Sequence, residues 1–390
     1  MLQAIGQQPP FDLTETEDWW LVPAQLFDGR ALLAGAALRV SGGRVRGVFT
    51  SHPVPADGNP VWRTRHLAVP GFVDLQINGG GGVLFNNAPT IEGLATIGVA
   101  HRASGTTRFL PTLITDEPGI LDRAAQAAIA AFGRFGVAGI HLEGPHISQE
   151  RRGTHKAAFI RPIDEHTFDV VGRLRAAGLP VLITLAPECV PPGTIGRLCA
   201  LGTVVSLGHT AASSAEVRAA IAEGARSATH LFNGMPPMTS RDPAVVGTVL
   251  DSDVFCGFIA DGHHVADTMI RIAVRSRPRP GRMVLVSDAM PTVNGPSDFT
   301  LYGETIRLVD GRLVNEAGSL AGVHIDMAAS VRRLVDTVGL PLEDVLMMSS
   351  STPATLMGLT ADAGSFAAGT RADIVLLDQE IKVSTVITAV

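Results

Sequence analysis

The stretch GIHLEGPHISQERRGTH, Gly139–His155, decides the predicted fold. Its apolar residues alternate with His141 and Glu143, which is the period of a β-strand. A Gly-Pro pair follows at once and ends the strand, because proline cannot continue the ladder of a central strand. Glu143 is therefore predicted to be the last residue of a strand. A carboxylate there is a metal ligand, a general base, or a structural group tied to backbone amides.

The same pattern recurs along the chain: an apolar run, a polar residue at its end, then glycine or proline. Helical patterns separate these runs, and such an alternation predicts a (β/α)8 TIM barrel within the α/β class. An open doubly wound sheet is the alternative, but it would gather the polar residues at one crossover point. The predicted strands are Phe72–Ile77, Thr106–Leu110, Val137–Leu142, Val181–Leu185, Thr203–Leu207, Ser227–Thr229, Phe255–Ala260 and Met283–Ser287.

Strand patterns at both ends of the chain predict a small discontinuous β-sandwich domain beside the barrel. Residues 1–20 show no periodicity and are interpreted as a loose leader. Val323–Val338 is predicted to be a closing helix of the barrel. The predicted divisions are 1–68 for the N-terminal part of the β-domain, 69–360 for the barrel with a flap at 291–322, and 361–390 for the C-terminal part.

Composition excludes several functional classes. The net charge of −6 over 390 residues gives no basic footprint for nucleic acid. We see no apolar run of membrane-spanning length and no signal peptide, so no membrane partner and a cytoplasmic location are expected. The three cysteines match no zinc or disulfide pattern.

Predicted strand ends carry four residues that could perform chemistry: Glu143, His209, His230 and Asp288. One carboxylate and two imidazoles are the ligand set of an open catalytic metal site, with water in the remaining position. Each histidine alone is more often structural, but the combination at one barrel rim favours a metal site. Imidazole suits zinc, iron or nickel, so these residues do not fix the ion. Asp288 is then a spare carboxylate for proton transfer.

Eight segments between Pro70 and about Asp378 resemble, in order, the N-acetylglucosamine-6-phosphate deacetylases of the amidohydrolase superfamily. They are PGFVDLQINGGGG, HLEGPH, GTHKAAF, TLAPE, GHT, ATHLFNGMPP, GFIADGHHV and LVSDAM. The resemblance implies one divalent ion per chain, held by Glu143, His209 and His230, with Asp288 as the catalytic base. Zinc is the first candidate for the ion, and iron or another divalent ion is the alternative. The substrate-binding residues that it implies are Thr154, His155, Asn233, Gly234, Arg241, Asp261, His264, Leu320, Ala321 and Gly322.

Two departures from related amidohydrolases affect these expectations. Gln76-Ile77-Asn78 replaces the His-x-His of many relatives, and amides are poor zinc ligands. Lys156 is the only lysine of the barrel region and follows His155, so a carboxylated lysine bridging two ions is not expected. A single-metal site follows. The segment 323–326, VHID, stands where relatives commonly have small polar residues, which leaves the fit of the sugar open. The Gly79–Gly82 run has no following Lys-Ser/Thr and is interpreted as a tight turn.

The resemblance implies hydrolysis of the acetamide of N-acetylglucosamine-6-phosphate to acetate and glucosamine-6-phosphate, as in amino-sugar catabolism and recycling. The expected partners are this small molecule and further copies of the chain, as a homodimer or higher homo-oligomer. One alternative is an amidohydrolase acting on another N-acyl sugar phosphate, such as N-acetylgalactosamine-6-phosphate, or on a cyclic imide. Another is a non-catalytic metal-binding scaffold, which would lack Asp288 or a ligand; the sequence lacks neither.

Overall fold

The structure, a computed structural model, describes residues 2–50 and 57–389. Strands that precede the barrel contribute to a small β-domain. The first of them, Leu2–Gly6, pairs antiparallel with the last strand of the chain, so the loose leader predicted for residues 1–20 is wrong there. These strands are β1 Leu2–Gly6, β2 Asp18–Val22, β3 Gln25–Phe27, β4 Leu32–Ala34, β5 Ala37–Ser41, β6 Arg44–Phe49, β7 Val61–Arg63 and β8 Leu67–Pro70.

Eight parallel strands and intervening helices form the barrel. The strands, together with the short hairpin β10–β11, are β9 Phe72–Ile77, β10 Gly79–Gly80, β11 Val83–Leu84, β12 Thr106–Ile114, β13 Ile140–Glu143, β14 Val181–Leu185, β15 Val204–Leu207, β16 Ser227–Ala228, β17 Phe255–Phe258 and β18 Met283–Leu285. The helices are α1 Ile91–Arg102, α2 Pro118–Ala131, α3 Glu165–Ala176, α4 Thr194–Ala200, α5 Ser214–Glu223, α6 Ala244–Leu250 and α7 Asp267–Ser276, with 3₁₀ turns at Ala157–Phe159 and Pro187–Cys189.

Barrel closure decides between the two predicted sheet types. Each strand from β12 to β18 pairs in parallel with the strand before it in the ring, and a parallel bridge between Ile77 and Ala289 joins the region after β18 to β9. The sheet therefore closes on itself, which confirms the barrel and excludes the open sheet. Glu143 is the last residue of β13, as predicted.

The barrel strands are buried on both faces, since the helices cover the outside and side chains fill the inside. Ile140 and Leu142 point outward and belong to the core shared with the helices. Val73, Leu182 and Val284 belong to a separate cluster. Strands buried on both faces are expected to be nearly continuous apolar runs, which is why they could be recognised in the sequence.

The region predicted as a flap contains a three-stranded antiparallel sheet: β19 Asp298–Leu301, β20 Glu304–Val309 and β21 Arg312–Val314. The predicted helix Val323–Val338 starts late: Val323 makes a parallel bridge with Ala289, so the helix begins at Met327 behind the N-cap Asp326. It continues as a π-helical turn, Leu334–Val338. The remaining elements are α8 Met327–Arg333, α9 Leu342–Ser349, α10 Ser351–Met357, β22 Ile374–Leu377 and β23 Val383–Ala389.

The two ends of the chain meet in the small β-domain. A six-stranded sheet has the order β1-β23-β22-β8-β3-β4, and a four-stranded sheet has the order β6-β5-β2-β7. Trp19, Leu38 and Ile374, which come from both sheets, share one buried core. A discontinuous β-sandwich therefore accompanies the barrel, while its boundaries at residues 68 and 361 remain predictions. No helix in the described part of the chain is long and apolar enough to cross a bilayer.

A buried ion pair ties the β-domain to the barrel. Arg108 on β12 forms an ion pair with Asp373, just before β22, with Nη2 and Oδ2 2.8 Å apart, and both side chains are less than a tenth exposed. The hydroxyl of Thr388 on β23 also donates to Asp373. Removing one partner of such a pair leaves an uncompensated buried charge.

We predict that Asp373→Ala destabilises the protein by about 3–5 kcal/mol, because Arg108 then remains buried and charged. Urea unfolding followed by circular dichroism measures this loss. Asp18→Ala is the matched control: its ion pair with Arg39 is long, 3.8 Å, and lies at the surface, so its removal should cost about 1 kcal/mol or less. An equal loss in both variants would contradict a special role for the buried pair.

Candidate metal and catalytic site

The Glu143 carboxylate is the centre of a compact cluster at the carboxyl ends of the barrel strands. Its Oε1 lies 2.9 Å from Nε2 of His230 and 3.3 Å from Nε2 of His209. The two Nε2 atoms lie 3.0 Å apart. All three side chains are at least nine-tenths buried. The structure thus brings the three predicted ligands together around one point.

This geometry fits a bound cation. Ligands at about 2.0–2.1 Å from a tetrahedral zinc ion lie roughly 3.3 Å from one another, close to the separations observed here. Among the described residues, no lysine or arginine forms an ion pair with Glu143. Burial opposes ionisation of Glu143, but His209 and His230 lower its pKa. A buried carboxylate needs compensating positive charge, and a cation held between Glu143 and the two imidazoles would supply it.

His155 lies beside the cluster, and its donor atom is within 4.8 Å of those of Glu143 and His209. The hydrogen bonds of the two histidines separate their roles. His209 Nδ1 lies 2.8 Å from the carbonyl oxygen of Arg151 and must carry a proton to bond it, which leaves Nε2 free to bind a metal. His155 Nδ1 instead accepts from the backbone N–H of Thr115 at 3.3 Å. Its proton is therefore on Nε2. Burial of the side chain, and to a smaller extent the nearby His209, lowers the pKa of His155, so the ring stays neutral. A neutral ring with an Nε2–H is a hydrogen-bond donor rather than a ligand.

Three of the predicted site residues have a left-handed backbone: φ is +47° at His209, +29° at His230 and +51° at Asp288. Each follows the end of its strand within three residues. Such conformations cost roughly 1–3 kcal/mol for residues other than glycine and are concentrated at functional sites. The turn aims each side chain across the mouth of the barrel.

Asp288 lies opposite the histidines. Its Oδ1 accepts a hydrogen bond of 2.7 Å from the side-chain amide of Asn78. Burial, followed by the negative charge of Glu143, raises the pKa of Asp288 to about 7. A cation bound at Glu143 would lower this value again. Asp288 is therefore a buried carboxyl group opposite the cluster, in the position of a group that takes and returns a proton.

The two amide side chains that replace His-x-His each form a hydrogen bond within the site. Gln76 donates from Nε2 to Oε1 of Glu143 at 3.0 Å, while Asn78 orients Asp288. Both amides thus hold the predicted ligand and the predicted base in position. Lys156 is exposed, with its ammonium 4.9 Å from the centre of the Phe159 ring, so it does not join the cluster.

Two predicted substrate-binding residues follow His230 in one tight turn. Asn233 donates from its side chain to the carbonyl oxygen of His230 at 3.1 Å. Gly234 has φ +60°, and a Cβ there would lie 2.9 Å from His209 Nδ1, so only glycine fits. Thr154, by contrast, lines a cavity of about 530 Å³ between the loop after β13 and the flap.

Three further predicted substrate-binding residues lie after β16 and β17. Arg241 is exposed on its loop and forms no ion pair with another described residue. Asp261 accepts from His264 Nδ1 at 2.6 Å, which leaves Nε2 of His264 for a ligand. Burial opposes ionisation of Asp261, but the bond from His264 lowers the pKa of Asp261 to about 2.

The flap segment Leu320–Gly322 returns the chain to Asp288, because the next residue, Val323, bridges to Ala289. Leu320 is 43% exposed and lines the same cavity as Thr154, whereas Ala321 is buried. His324 of the unusual VHID segment is bonded to the hydroxyl of Thr292 at 2.9 Å.

Sequence reasoning missed two residues that shape the site. Thr115 contacts His155 Nδ1 through its hydroxyl at 2.7 Å and through its backbone N–H. Arg151 contributes only its backbone carbonyl, to His209. Thr115 follows β12 directly, so the rule that polar residues at strand ends are functional would have found it. A backbone carbonyl leaves no signal in the sequence.

Comparison with known proteins places this geometry in a family. The family model described as "Amidohydrolase family" matches residues 67–390, which is most of the chain. The chain belongs to the amidohydrolase family. The three predicted ligands and Asp288 all lie within the matched region.

Several relatives match this chain over nearly its whole length. N-acetylgalactosamine-6-phosphate deacetylase of Shewanella sp. (strain ANA-3) is 39% identical over 90% of this chain and 89% of its own length. N-acetylglucosamine-6-phosphate deacetylase of Mus musculus is 37% identical over 92% of each chain. A solved variant of the Mycobacterium smegmatis N-acetyl-D-glucosamine-6-phosphate deacetylase, in complex with N-acetyl-D-glucosamine-6-phosphate, superimposes with a TM-score of 0.87 at 32% identity, covering 95% of this chain and 97% of its own.

We predict that the purified protein binds about one divalent ion per chain through Glu143, His209 and His230. His209→Ala and His230→Ala should each lose most of this ion in elemental analysis, because each removes a ligand. His166→Ala is the control, since that histidine pairs with Asp122 at the surface and should leave the metal content unchanged. Two tightly bound ions per chain would contradict the single-metal site and would bring Gln76 or Asn78 into the ligand set.

Proposed function

We propose that this chain is a metal-dependent deacetylase that hydrolyses the acetamide of an N-acetylated amino-sugar 6-phosphate, releasing acetate and the free amino sugar phosphate. The observation that carries the proposal is the convergence of Glu143, His209 and His230 opposite Asp288, in a chain 37–39% identical to two deacetylases of such substrates. N-acetylglucosamine-6-phosphate is the first candidate substrate. The galacto epimer is the second candidate, because the Shewanella relative is named N-acetylgalactosamine-6-phosphate deacetylase.

Glu143, His209 and His230 would hold the ion. When bound, a divalent cation supplies Lewis acidity that polarises a carbonyl and acidifies a water molecule. Zinc is the ion we propose, since one carboxylate and two imidazoles are a common catalytic zinc set. One ion per chain, a homodimer or higher homo-oligomer, and a cytoplasmic location remain predictions.

Asp288 performs the proton transfers in this proposal. Its ionised carboxylate takes a proton from the attacking water, and the protonated acid then gives that proton to the leaving amine nitrogen. The C–N bond breaks as the amine departs, and the new C–O bond leaves the acyl group as acetate. Asn78 fixes the carboxylate through Oδ1, so the second oxygen is free for the proton.

His155 stabilises the charge on the substrate carbonyl oxygen. Its neutral ring offers Nε2–H as a donor beside the ligand His209, with the ring centres 4.4 Å apart. A donor held in place before the reaction stabilises an oxyanion without reorganisation, and one such donor can contribute about 10²–10³ in kcat.

Asp288→Asn tests the proton transfer. Asparagine can still accept the hydrogen bond from Asn78 through Oδ1, so the geometry is kept while the proton acceptor is lost. We expect kcat for acetate release to fall by at least about 10²–10⁴, with unchanged metal content. A variant with near-normal kcat would remove Asp288 from the mechanism.

Arg241 is the residue that we propose binds the phosphate, and His264, which follows the next barrel strand, is the second candidate. Arg241 lies on the loop directly after the ligand His230, and it is exposed and unpaired among the described residues. A guanidinium offers a planar fork of donors that matches a phosphate dianion. His264 is already oriented by Asp261 and presents its second ring nitrogen.

Arg241→Ala should lower kcat/KM for the 6-phosphate substrate by about 10- to 150-fold, since a charge-assisted hydrogen bond contributes roughly 1.5–3 kcal/mol. The unphosphorylated sugar should lose little, because it has no group for Arg241 to hold. Arg197→Ala, on the outer surface where Arg197 pairs with Glu165, is the control. An equal loss of kcat/KM on both sugars would show that Arg241 supports the fold. No loss on either sugar would show that Arg241 does not bind the phosphate, and His264 would be the next candidate.

A further inference from the structure

The flap contains the only tyrosine of the chain, Tyr302, at the turn between β19 and β20. Its backbone is left-handed, with φ +52°. Its ring packs edge-on against Phe159, with the ring centres 5.9 Å apart. The side chain therefore points from the flap into the barrel mouth rather than into solvent.

The hydroxyl of Tyr302 meets the segment that supports His155. It donates to the carbonyl oxygen of Thr115. Thr115 contacts His155 Nδ1 through its hydroxyl and its backbone N–H. The phenol thus touches the residue that holds the His155 ring.

We propose that Tyr302 is a positioning residue for His155: its hydroxyl holds the flap on Thr115 and thereby fixes the direction of the His155 Nε2–H. The inference rests on the proposed function for its kinetic consequences. It predicts that the flap acts on the reaction through one hydroxyl as well as by covering the site.

Tyr302→Phe removes this hydroxyl and keeps the ring packing with Phe159. We expect kcat for acetate release to fall about 3- to 10-fold, the effect of one neutral hydrogen bond. KM and metal content should be nearly unchanged, because a misdirected oxyanion donor affects the transition state more than substrate binding.

Asn87→Ala is the matched control. Asn87 donates to the carbonyl oxygen of Thr300 at 2.9 Å and ties the flap to the barrel away from Thr115. This variant should keep a kcat close to wild type. An equal fall in both variants would show that the flap acts by general seating, which contradicts the proposal.

A double variant tests the route through His155. In a His155→Asn background, Tyr302→Phe should cause no further fall in kcat, because the donor that it positions is already gone. A further 3- to 10-fold fall would contradict the proposal, since independent contributions multiply in rate.

A spectroscopic test needs neither substrate nor activity, so it separates this proposal from the proposed function. Burial, followed by the Asp116 carboxylate, raises the pKa of Tyr302. The phenolate absorbance of the single tyrosine should therefore appear well above the ordinary pKa of about 10 while circular dichroism shows folded protein. A titration near 10 in the folded protein would mean that the phenol is free in solution and would overturn the proposal.

Discussion

The Glu143 carboxylate is the constraint on which the rest of the site depends. It is almost fully buried, and its described partners are two imidazoles and the Gln76 amide. A buried carboxylate needs compensating charge, and the fold supplies a place for a cation where three strands end. The surrounding hydrogen bonds then follow: His209 is turned by a backbone carbonyl, and Asp288 is turned by Asn78.

The replacement of His-x-His by two amides is consistent with the same constraint. Each amide donates to a carboxylate, Gln76 to Glu143 and Asn78 to Asp288, so the residues that stand in place of His-x-His here orient the predicted ligand and the predicted base. Burial near Glu143 raises the pKa of Asp288, and a cation at Glu143 would lower it again.

The sequence predicted the barrel and the four residues at its strand ends because that information is local. Buried parallel strands are apolar runs, and the glycine or proline after each run marks the rim, which put Glu143 at the end of β13. The contacts that orient the side chains of the site could not be predicted from the sequence. The bond from Thr115 to His155 spans 40 residues and the bond from Arg151 to His209 spans 58, and neither follows any periodicity.

Two errors at the ends of elements have the same origin. The sequence of Leu2–Gly6 shows no strand pattern by itself, but the segment forms a strand because it pairs with the edge of β23. Val323–Asp326 looked helical but is drawn into the barrel by the bridge to Ala289. Tertiary pairing overrides local propensity in both places.

Acetate release by the metal-loaded protein is the most direct test of the account. N-acetylglucosamine-6-phosphate, N-acetylgalactosamine-6-phosphate and unphosphorylated N-acetylglucosamine would be compared at equal concentration. The account predicts rapid, metal-dependent release from at least one of the two 6-phosphates and much slower release from the unphosphorylated sugar. Equal rates on all three sugars, or no release from either phosphate, would contradict it.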